Sequence, residues 1–567
     1  MVKNVAIGIQ SFDKMREGNY FYVDKTDFIR EWWGSGDDVT LINRPRRFGK
    51  TMNMSMVEAF FSIDYANRGD LFEGLSIWED EKYRAIQGSY PVIFLSFARV
   101  KEPDYISAKQ RICRLIADVY NENWYLVERG ALRENEKAEF LEIINKKTEM
   151  NEEQATTALN NLSGYLCRYY GKKVIILLDE YDTPMQEAYI DGYWDELVRF
   201  TRSLFNSTFK TNPYLERGIM TGITRVSKES IFSDLNNLKV VTTTSDEYVT
   251  SFGFTEEEVF AALDAYGYGK RKDEVKQWYD GFIFGEQKDI YNPWSILNFL
   301  DTGKVATYWA NTSSNSLVGK LVREGNRRVK TNFEQLLEGK SIRCPIDEQI
   351  VYNQLNRREG AIWSLLLASG YLKVLDREEE NEVVGGGLPK YELALTNQEV
   401  KRMFECMVRD WFEVSDGAYN DFVEALLLGD LKAMNEYMNE VALKTFSYFD
   451  VGKKPSEEKP ERFYHGFVLG LIVDLQGRYM VTSNRESGFG RYDVMMEPKD
   501  VENDTAFILE FKVYDPDDGA TLGDTVAAAH AQIEEKQYAA SLMAKGVPAE
   551  HIRKYGFAFE GKKVLIG

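Results

Sequence analysis

A glycine–lysine–threonine segment is the first feature of the chain that could do chemistry. It ends the loop Asn43-Arg-Pro-Arg-Arg-Phe-Gly-Lys-Thr51, which lies between the β-rich run Val39-Thr-Leu-Ile42 and a helix-competent stretch. A loop that cradles phosphate needs a glycine where backbone approaches phosphate, a lysine for the β- and γ-phosphates and a hydroxyl for Mg²⁺. Gly49, Lys50 and Thr51 supply these groups at the start of the predicted helix, where backbone N–H groups also favour anions.

Arginines surround this segment, and one of them breaks the usual phosphate-loop pattern. Arg44 stands where GxxxxGK[ST] has its first glycine. One interpretation is that the arginines contact phosphate or a partner chain. The other is that they form a solvated basic loop and that the tripeptide is a chance match at a helix start. The candidate nucleotide-binding residues of the loop are Arg44, Arg46, Arg47, Phe48, Gly49, Lys50 and Thr51.

An acidic strand end supplies the partner that such a loop requires. The apolar run Val174-Ile-Ile-Leu-Leu178 leads directly into Asp179 and Glu180, which is the Walker B arrangement of a P-loop fold. There Asp179 would hold the metal ion through water, and Glu180 would orient and polarise the attacking water. The alternative is a buried strand that runs into a solvated acidic turn. The order and spacing of the two motifs favour a nucleotide site with Thr51 and Asp179 near the metal.

A further predicted strand, over 218–223, ends in Thr224 and Arg225. A polar or cationic residue beyond the strand next to Walker B could sense the γ-phosphate; the alternative is ordinary polarity at a strand end. Together with 92–97, these apolar runs alternate with amphipathic stretches such as 105–128. The alternation predicts a parallel sheet covered by helices on both faces, an α/β domain of the P-loop NTPase type.

The C-terminal hundred residues carry a second group of reactive side chains. Asp493 lies in the predicted strand 491–496, while Glu510 and Lys512 share one face of the predicted strand 505–513. Two carboxylates could bind Mg²⁺ or Mn²⁺, which prefer oxygen ligands, and the lysine could stabilise or activate an attacking water. This is the chemistry of metal-assisted phosphodiester cleavage.

Glutamate and lysine also alternate on many exposed strands, which is the other interpretation of Glu510 and Lys512. The apolar run Phe507-Ile-Leu509 directly before them indicates a buried strand, whose charges must be paired or liganded. The surrounding elements are predicted in the order αβββαβ, as in restriction endonucleases: a helix over 461–475, strands over 478–483, 491–496 and 505–513, a helix over 524–544 and a strand over 555–560.

The middle of the chain is predicted to form a smaller module. Residues 361–372 suit a buried helix, and the charged and glycine-rich segment 376–387 suits a hairpin tip before the strand 391–395. This indicates a winged-helix-like lid or, alternatively, an interdomain packing module. The predicted domains are a P-loop domain over 1–330, the lid over 331–415, a helical connector over 416–455 and a C-terminal domain over 456–567.

Composition excludes several classes of protein. Hydrophobic residues make up 44% and aromatic residues 13% of the 567, which excludes global disorder. We find no apolar run long enough to span a membrane and no signal-peptide pattern. The four cysteines are far apart and the chain has three histidines, so we expect neither a disulfide framework nor a zinc site. The same cysteine pattern predicts a location in the reducing cytoplasm. A net charge of −20 argues against polycation-like binding of nucleic acid but allows a local basic cleft.

The motifs of the first 330 residues resemble a known family. The AAA-ATPase-like family, whose bacterial and archaeal members are paired with a C-terminal nuclease-like domain, is similar to this chain over residues 4–330 and shares the arginine at position 44. The resemblance implies ATP as the ligand of the loop. The matching segments are Tyr22-Val-Asp-Lys-Thr26, Arg44-Pro-Arg-Arg-Phe-Gly-Lys-Thr51, Leu178-Asp-Glu-Tyr-Asp182, Gly222-Ile-Thr-Arg-Val-Ser-Lys228, Tyr291-Asn-Pro-Trp-Ser295 and Tyr308-Trp-Ala-Asn-Thr312.

The C-terminal region resembles the PD-(D/E)XK nuclease superfamily, in the branch fused to AAA-ATPase-like domains. By analogy with that superfamily, Glu461 adds a carboxylate, Glu486 is an alternative third acid, and Gln532 lies where some members place a site residue. His465 is a ligand or phosphate contact or, alternatively, a helix histidine with satisfied hydrogen bonds. The matching segments are Phe463-Tyr-His465, Ser483-Asn-Arg-Glu486, Gly490-Arg-Tyr-Asp493 and Glu510-Phe-Lys512.

Two functions of different class are compatible with the sequence. In the first, a module that binds and hydrolyses ATP drives or gates a Mg²⁺- or Mn²⁺-dependent nuclease. Its substrate would be nucleic acid, DNA rather than RNA, in genome defence or mobile-element control. In the second, ATP switches a binding protein whose nuclease-like domain binds nucleic acid or protein without cutting. Neither function requires a membrane, and both allow a homo-oligomer.

Overall fold

The computed structural model of the protein describes most of the chain with its side chains. The predictions made for Arg225, Glu461 and His465 fall outside the described residues. The described residues are 2–224, 232, 235–310, 318–319, 321–322, 327–347, 359–378, 388–410, 418–445, 468, 472, 475, 478–483, 486–487, 490–491, 493–501, 503–514, 521–560 and 563–567.

The chain divides into two compact units. The N-terminal unit comprises residues 1–321 and 341–401, and the C-terminal unit comprises residues 322–340 and 402–567. The boundaries predicted at 330, 415 and 455 stay predictions. The helices of the N-terminal unit are Phe12–Glu17, Asp27–Ser35, Lys50–Phe61, Glu81–Arg84, Tyr105–Glu122, Tyr125–Glu128, Glu134–Lys146, Glu152–Tyr170, Thr183–Asp191, Trp194–Phe205, Glu256–Ala265, Lys272–Tyr279, Pro293–Thr302 and Glu359–Ala368.

A five-stranded parallel sheet in the order β2-β3-β4-β1-β5 organises the N-terminal unit. The α/β fold predicted from the alternating apolar runs is therefore confirmed. The strands of this unit are β1 (Val39–Asn43), β2 (Val92–Ser96), β3 (Val174–Asp179), β4 (Leu215–Gly222), β5 (Leu238–Val241), β6 (Phe254–Thr255), β7 (Phe282–Phe284), β8 (Gln287–Tyr291), β9 (Ile342–Pro345), β10 (Leu372–Arg377) and β11 (Lys390–Leu395).

The central strands of this sheet bring the two N-terminal motifs to one edge. Every residue of β1 and of β3 is buried, as expected for strands covered on both faces. β4 lies between them, and the register pairs Asn43 at the end of β1 with Gly222 at the end of β4. Because parallel strands end at the same edge, the loop after β1 and the carboxylate of Asp179 flank the end of β4.

Two small antiparallel sheets, β6-β8-β7 and β10-β11-β9, complete the N-terminal unit. The helix Glu359–Ala368 followed by β10 and β11 forms the winged-helix-like arrangement expected from the sequence, and β9 adds a strand that the sequence did not indicate. This arrangement packs on the candidate loop, since a Cβ added at Gly370 (φ +83°) would lie 2.8 Å from Cγ of Pro45.

A mixed five-stranded sheet organises the C-terminal unit. Its order is β12-β15-β16-β17-β18, with β16 and β17 parallel and the other neighbours antiparallel. The strands are β12 (Tyr479–Ser483), β13 (Glu486–Ser487), β14 (Gly490–Arg491), β15 (Val494–Pro498), β16 (Ala506–Val513), β17 (Ile552–Glu560) and β18 (Lys563–Ile566). The helices are Arg327–Leu337, Ala418–Leu428, Leu431–Thr445, Leu522–Glu535 and Ala540–Ala544, and Gln398–Asp410 begins in the N-terminal unit and ends in this one.

Three elements of the C-terminal unit differ from the sequence prediction. The predicted strand over 491–496 is two pieces, β14 in a hairpin with β13 and β15 in the main sheet, with Asp493 in the bend before β15. The Asp493 carboxylate accepts the backbone N–H of Phe511 in β16 at 2.8 Å. The side chain thus takes a ladder hydrogen bond of the neighbouring strand, a competition that is typical of aspartate. The second difference is β18, which the sequence analysis did not predict. The third is the helix predicted over 524–544, which the structure divides into Leu522–Glu535 and Ala540–Ala544.

The two faces of β16 pack into different cores. On one face, its aromatic and leucine side chains join an apolar cluster with residues of the helices Ala418–Leu428 and Leu431–Thr445. On the other, Ile508 packs with Ile533 of a separate helix. Successive strand side chains alternate, so Glu510 and Lys512 continue the face of Ile508.

Within the described residues, we find no helix with the length and hydrophobicity needed to cross a lipid bilayer.

Candidate phosphate-loop site and candidate metal centre

The backbone of the candidate loop turns sharply before the helix Lys50–Phe61. Arg47 (φ +65°) and Gly49 (φ +82°) both lie in the left-handed region, which glycine adopts without steric cost. A Cβ built at Gly49 would have no heavy atom within 4 Å, so the space beside it is open. A left-handed glycine facing open space at a helix start is the backbone arrangement that a phosphate needs.

Lys50 lies at the centre of the loop. Its ammonium donates to the carbonyl oxygens of Arg44 and Pro45, each at 2.9 Å, so that the loop curls around it. Burial lowers the pKa of Lys50, while the nearby carboxylates of Glu180 and Asp182 raise it. The predicted lysine therefore faces both the loop backbone and the acidic strand end.

Asp179 joins the loop to the strands on either side of β3. Its carboxylate accepts hydrogen bonds from the hydroxyls of Thr221 (2.6 Å), Thr51 (2.9 Å) and Ser96 (3.4 Å). The carboxyl group is fully buried, and burial raises its pKa above the usual range. The structure thus brings Thr51 and Asp179 together and surrounds them with oxygen atoms, the ligand type that Mg²⁺ prefers.

Glu180 follows Asp179 in a backbone conformation that is unusual for its residue type. Its φ is +52°, and its N–H donates to the hydroxyl of Thr221 at 3.3 Å. One of its carboxylate oxygens accepts the hydroxyl of Thr183 at 3.2 Å. A non-glycine residue persists at positive φ only where its surroundings hold it, and such positions cluster at functional sites.

Arg44 has a different environment from the one that a phosphate ligand needs. Its side chain is fully buried, and its guanidinium donates to the carbonyls of Thr242 and Glu247 (3.0 Å) and lies 4.6 Å from the ring centre of Phe284. Burial lowers its pKa to about 9. These contacts explain why an arginine suits the position of the first glycine: it ties the loop to the segment after β5.

The remaining loop residues fall into an inward and an outward group. Phe48 is buried and packs edge-on against Phe282, with ring centres 4.7 Å apart. Arg46 donates to the side-chain oxygen of Gln186 at 3.1 Å. Arg47 is exposed, and its guanidinium lies 4.3 Å from the ring centre of Trp294. Arg46 and Arg47 are thus the arginines of the loop with access to solvent.

Thr224 follows the end of β4, as predicted. Its partner is Asp182, to which the sequence analysis gave no role. Its N–H and its hydroxyl both donate to the carboxylate of Asp182 at 2.8 Å. A threonine hydroxyl carries one proton, so in this arrangement it does not donate to a phosphate. Asp182 was visible in the motif Leu178-Asp-Glu-Tyr-Asp182, but its contact with β4 depends on the fold.

Glu510 and Lys512 lie on the sheet face that packs under the helix Leu522–Glu535. β15 and β16 pair antiparallel with Val494 opposite Leu509, so Asp493 lies at the level of Glu510. Glu510 is only 2% exposed. Gly556 on β17 pairs with Glu510 and leaves room for the helix, because a Cβ there would lie 2.9 Å from the carbonyl oxygen of Val526.

Gln532 bridges the two charged residues of β16. Its amide oxygen accepts the ammonium of Lys512 at 2.7 Å, and its amide nitrogen donates to Glu510. The same nitrogen also donates to the hydroxyl of Tyr538 at 3.1 Å. Burial raises the pKa of Tyr538, and the Glu510 and Asp493 carboxylates raise it further. Tyr538 was missed by the sequence analysis, which had no local signal for it.

The third acid of this site stays a prediction. The backbone of Glu486 lies in β13, but its side chain is outside the described part of the structure. Of the groups described, Asp493 and Glu510 supply carboxylates and Lys512 supplies an ammonium. That donor set is one that a hard divalent cation could use.

Two regions of the chain match models of known protein families. Residues 6–232 match the family described as "Predicted AAA-ATPase", and residues 459–567 match the PD-(D/E)XK nuclease superfamily. An uncharacterized protein from the vnfD 5′ region of Azotobacter chroococcum mcd 1 is 24% identical over 578 residues, covering 99% of this chain and 98% of that relative.

Two solved structures show weaker similarity. A STAND protein with a tetratricopeptide repeat sensor from Pyrococcus horikoshii is 13% identical over 81% of this chain, with a TM-score of 0.22, and this chain spans 54% of its length. The ORC2 protein of Aeropyrum pernix is 8% identical over 68% of this chain and 92% of its own, with a TM-score of 0.23. Scores this low do not bear on the fold. The two family matches agree with the architecture expected from the sequence: an AAA-ATPase-like region over residues 6–232 and a region of the PD-(D/E)XK nuclease superfamily over residues 459–567.

Proposed function

We propose that the N-terminal unit binds and hydrolyses ATP and thereby drives or gates a metal-dependent nuclease in the C-terminal unit. The observation that carries the first half is the 2.9 Å hydrogen bond between Thr51 and Asp179, which joins two motifs 128 residues apart. The family match to AAA-ATPases supports the same assignment.

The groups around the loop fit a nucleotide with its magnesium ion. Gly49 leaves open space, Lys50 supplies a positive charge, and the oxygens of Thr51 and Asp179 form a hard donor set. Mg²⁺, when bound, would offset the charge of the phosphates. Lys50 would bind the β- and γ-phosphates, and Glu180 would orient and polarise the attacking water.

The C-terminal unit would cleave phosphodiester bonds. Asp493 and Glu510 would hold Mg²⁺ or Mn²⁺, which supplies Lewis-acid activation when bound. Lys512 would stabilise or activate the attacking water, and the bridge through Gln532 supports this role because it fixes the ammonium beside Glu510. The match to the PD-(D/E)XK superfamily supports the same chemistry.

The substrate of the nuclease would be nucleic acid, with DNA favoured over RNA. A net charge of −20 confines any such contact to a local cleft, because the surface as a whole repels phosphate. A role in genome defence or mobile-element control, a cytoplasmic location and assembly into a homo-oligomer are the parts of this proposal that rest on the family resemblance and composition alone.

The first experiment measures ATP binding and phosphate release by the purified full chain with Mg²⁺. We expect Lys50→Ala to lose at least 10-fold in turnover. Lys432→Ala is the matched control, since the Lys432 side chain is 85% exposed and lies far from the loop in sequence. Equal turnover in both variants would contradict the assignment of the loop.

The second experiment asks whether the nuclease depends on ATP. Supercoiled, linear and single-stranded DNA and RNA are incubated with the full chain and Mg²⁺ or Mn²⁺, with and without ATP. Cleavage that falls in Lys50→Ala and without ATP supports gating. Binding of ATP without cleavage of any polymer would support the alternative function, a nucleotide-switched binding protein.

A further inference from the structure

Asp182 is a buried carboxylate beside the candidate nucleotide site that the proposed mechanism does not yet use. Its side chain is 1% exposed, and one carboxylate oxygen accepts three hydrogen bonds from the end of β4. The donors are the backbone N–H of Ile223 (3.0 Å) and the N–H and hydroxyl of Thr224 (both 2.8 Å). We call this set of contacts the Asp182 clasp.

Tyr181 and Asn43 add hydrogen bonds to the backbone carbonyl of Thr224. The hydroxyl of Tyr181 donates to the carbonyl of Thr224 at 2.7 Å, and the side-chain amide of Asn43 donates to the same carbonyl at 2.9 Å. The N–H of Tyr181 also donates to the carbonyl of Thr221 at 3.0 Å. The turn after β3 is therefore fastened to the end of β4 along its whole length.

At position 222, the last residue of β4, the turn after β3 leaves room only for a glycine. A Cβ added at Gly222 would lie 2.6 Å from the ring of Tyr181 and 2.8 Å from the carboxylate of Asp182. The carbonyl of Gly222 accepts the N–H of Arg44 at 3.1 Å. Because the turn, β4 and the loop touch in this way, movement of the turn would be resisted by all of them.

Glu180 is the residue whose geometry needs this support. It opens the turn at φ +52°, a backbone conformation that is strained for a residue with a side chain. Without the clasp, the turn could relax to an ordinary backbone conformation and move the carboxylate of Glu180.

We infer that Asp182 is a positioning residue that holds Glu180 in place for ATP hydrolysis, through its contacts with Ile223 and Thr224. The inference rests on the proposed ATPase function. It assigns Thr224 to the clasp instead of to direct contact with the γ-phosphate. Loss of the clasp should therefore lower kcat and leave nucleotide binding largely intact, because the hydrogen bonds that hold Lys50 and Thr51 go to Arg44, Pro45 and Asp179 and not to Asp182.

The test is a double-mutant cycle on the full chain. Asp182→Ala should lower kcat at least 10-fold, with KM and the Kd for ATP, measured by calorimetry, within threefold of wild type. Glu180→Gln should lower kcat at least as much. The double variant should be no slower than Glu180→Gln alone, because a residue that acts through Glu180 has no further effect once Glu180 is changed.

Thr224 provides variants that perturb the fold less. Thr224→Val removes one donor of the clasp and should lower kcat about threefold or more, whereas Thr224→Ser keeps the hydroxyl and should match wild type. If Asp182→Ala does not fold, Thr224→Val with Glu180→Gln completes the cycle in its place.

Two results would overturn the inference. The first is additive loss of kcat in the double variant, and the second is loss of ATP affinity in step with kcat. Failure of the proposed function is distinguishable, because wild-type protein would then bind or hydrolyse no ATP, whereas failure of the clasp leaves wild type active and shows only in the variants.

Discussion

The two candidate sites hold their charged groups by different means. At the phosphate loop, the carboxylate of Asp179 is held by hydroxyls from three strands or helices, and Lys50 is held by backbone carbonyls. At the C-terminal site, one amide, that of Gln532, contacts both Glu510 and Lys512. The N-terminal site is part of the core of its unit, whereas the C-terminal site is a side-chain network on one sheet face.

This difference predicts different responses to substitution. Residues that hold the phosphate loop also hold the strands together, so their loss should reduce stability as well as activity. Residues of the C-terminal network can be changed with less effect on packing, so their loss should reduce activity first.

The largest effect on stability is expected from Arg44→Ala. The substitution leaves the carbonyls of Thr242 and Glu247 without this donor and opens a cavity, which should destabilise the N-terminal unit by about 4 kcal/mol. Hydrogen exchange of peptides from β1 and β4 measures this. The control is Arg47→Ala, which removes one exposed contact with Trp294 and should cost less than about 1 kcal/mol. If the β1 and β4 peptides of the two variants were equally protected from hydrogen exchange, Arg44 would not be a structural residue.

A buried glutamate, Glu399, should make the stability of the N-terminal unit depend on pH. Glu399 is fully buried and accepts the hydroxyl of Ser295 at 2.8 Å and the N–H of Trp309 at 2.6 Å, and burial raises its pKa to about 7. The folded protein then keeps this proton at pH values where the unfolded chain, with a pKa near 4.3, has lost it. The contribution of Glu399 to the stability of the N-terminal unit should therefore fall by about 3 kcal/mol as pH rises from 4.5 to 7.

Glu399→Gln removes this titration and keeps the shape of the side chain. The variant should lose the Glu399 part of the pH dependence, measured as the midpoint of unfolding of the N-terminal unit between pH 4.5 and 7.5. A slope identical to that of wild type would contradict the assignment.

The smallest effect of a substitution is expected in the C-terminal network, which Gln532 forms with Glu510 and Lys512. Gln532→Ala should lower DNA cleavage about 10-fold and raise the metal concentration needed for half-maximal rate, because Glu510 and Lys512 lose their common partner. Glu535→Ala, on the same helix with its side chain 74% exposed, is the control. The thermal midpoint of the C-terminal unit should shift little. Full activity of Gln532→Ala would refute the network.

The sequence was sufficient for features that depend on local pattern. The apolar runs that end at Ile42 and Leu178 predict strands of a parallel sheet covered on both faces, and the structure has both as fully buried strands of one parallel sheet. Glu510 and Lys512 share a strand face because they are two residues apart, and the structure has them on that face.

Contacts between distant segments could not be predicted in the same way. Arg44 looks like a phosphate ligand in the sequence, and only the fold places its guanidinium between the carbonyls of Thr242 and Glu247. The motif Tyr22-Val-Asp-Lys-Thr26 also depends on a distant contact, because Lys25 forms a partly buried ion pair at 2.7 Å with Glu258, 233 residues away. No local periodicity carries such information.

Metal-dependent cleavage of plasmid DNA by Glu510→Gln, beside wild type, tests the central claim of two separate sites most directly. We expect wild-type protein to cut in Mg²⁺ or Mn²⁺, and Glu510→Gln to be slower by about 10²- to 10³-fold while its ATP turnover is unchanged. Glu436→Gln, whose side chain is 70% exposed, should cut like wild type. Cleavage by Glu510→Gln at the wild-type rate would contradict the account.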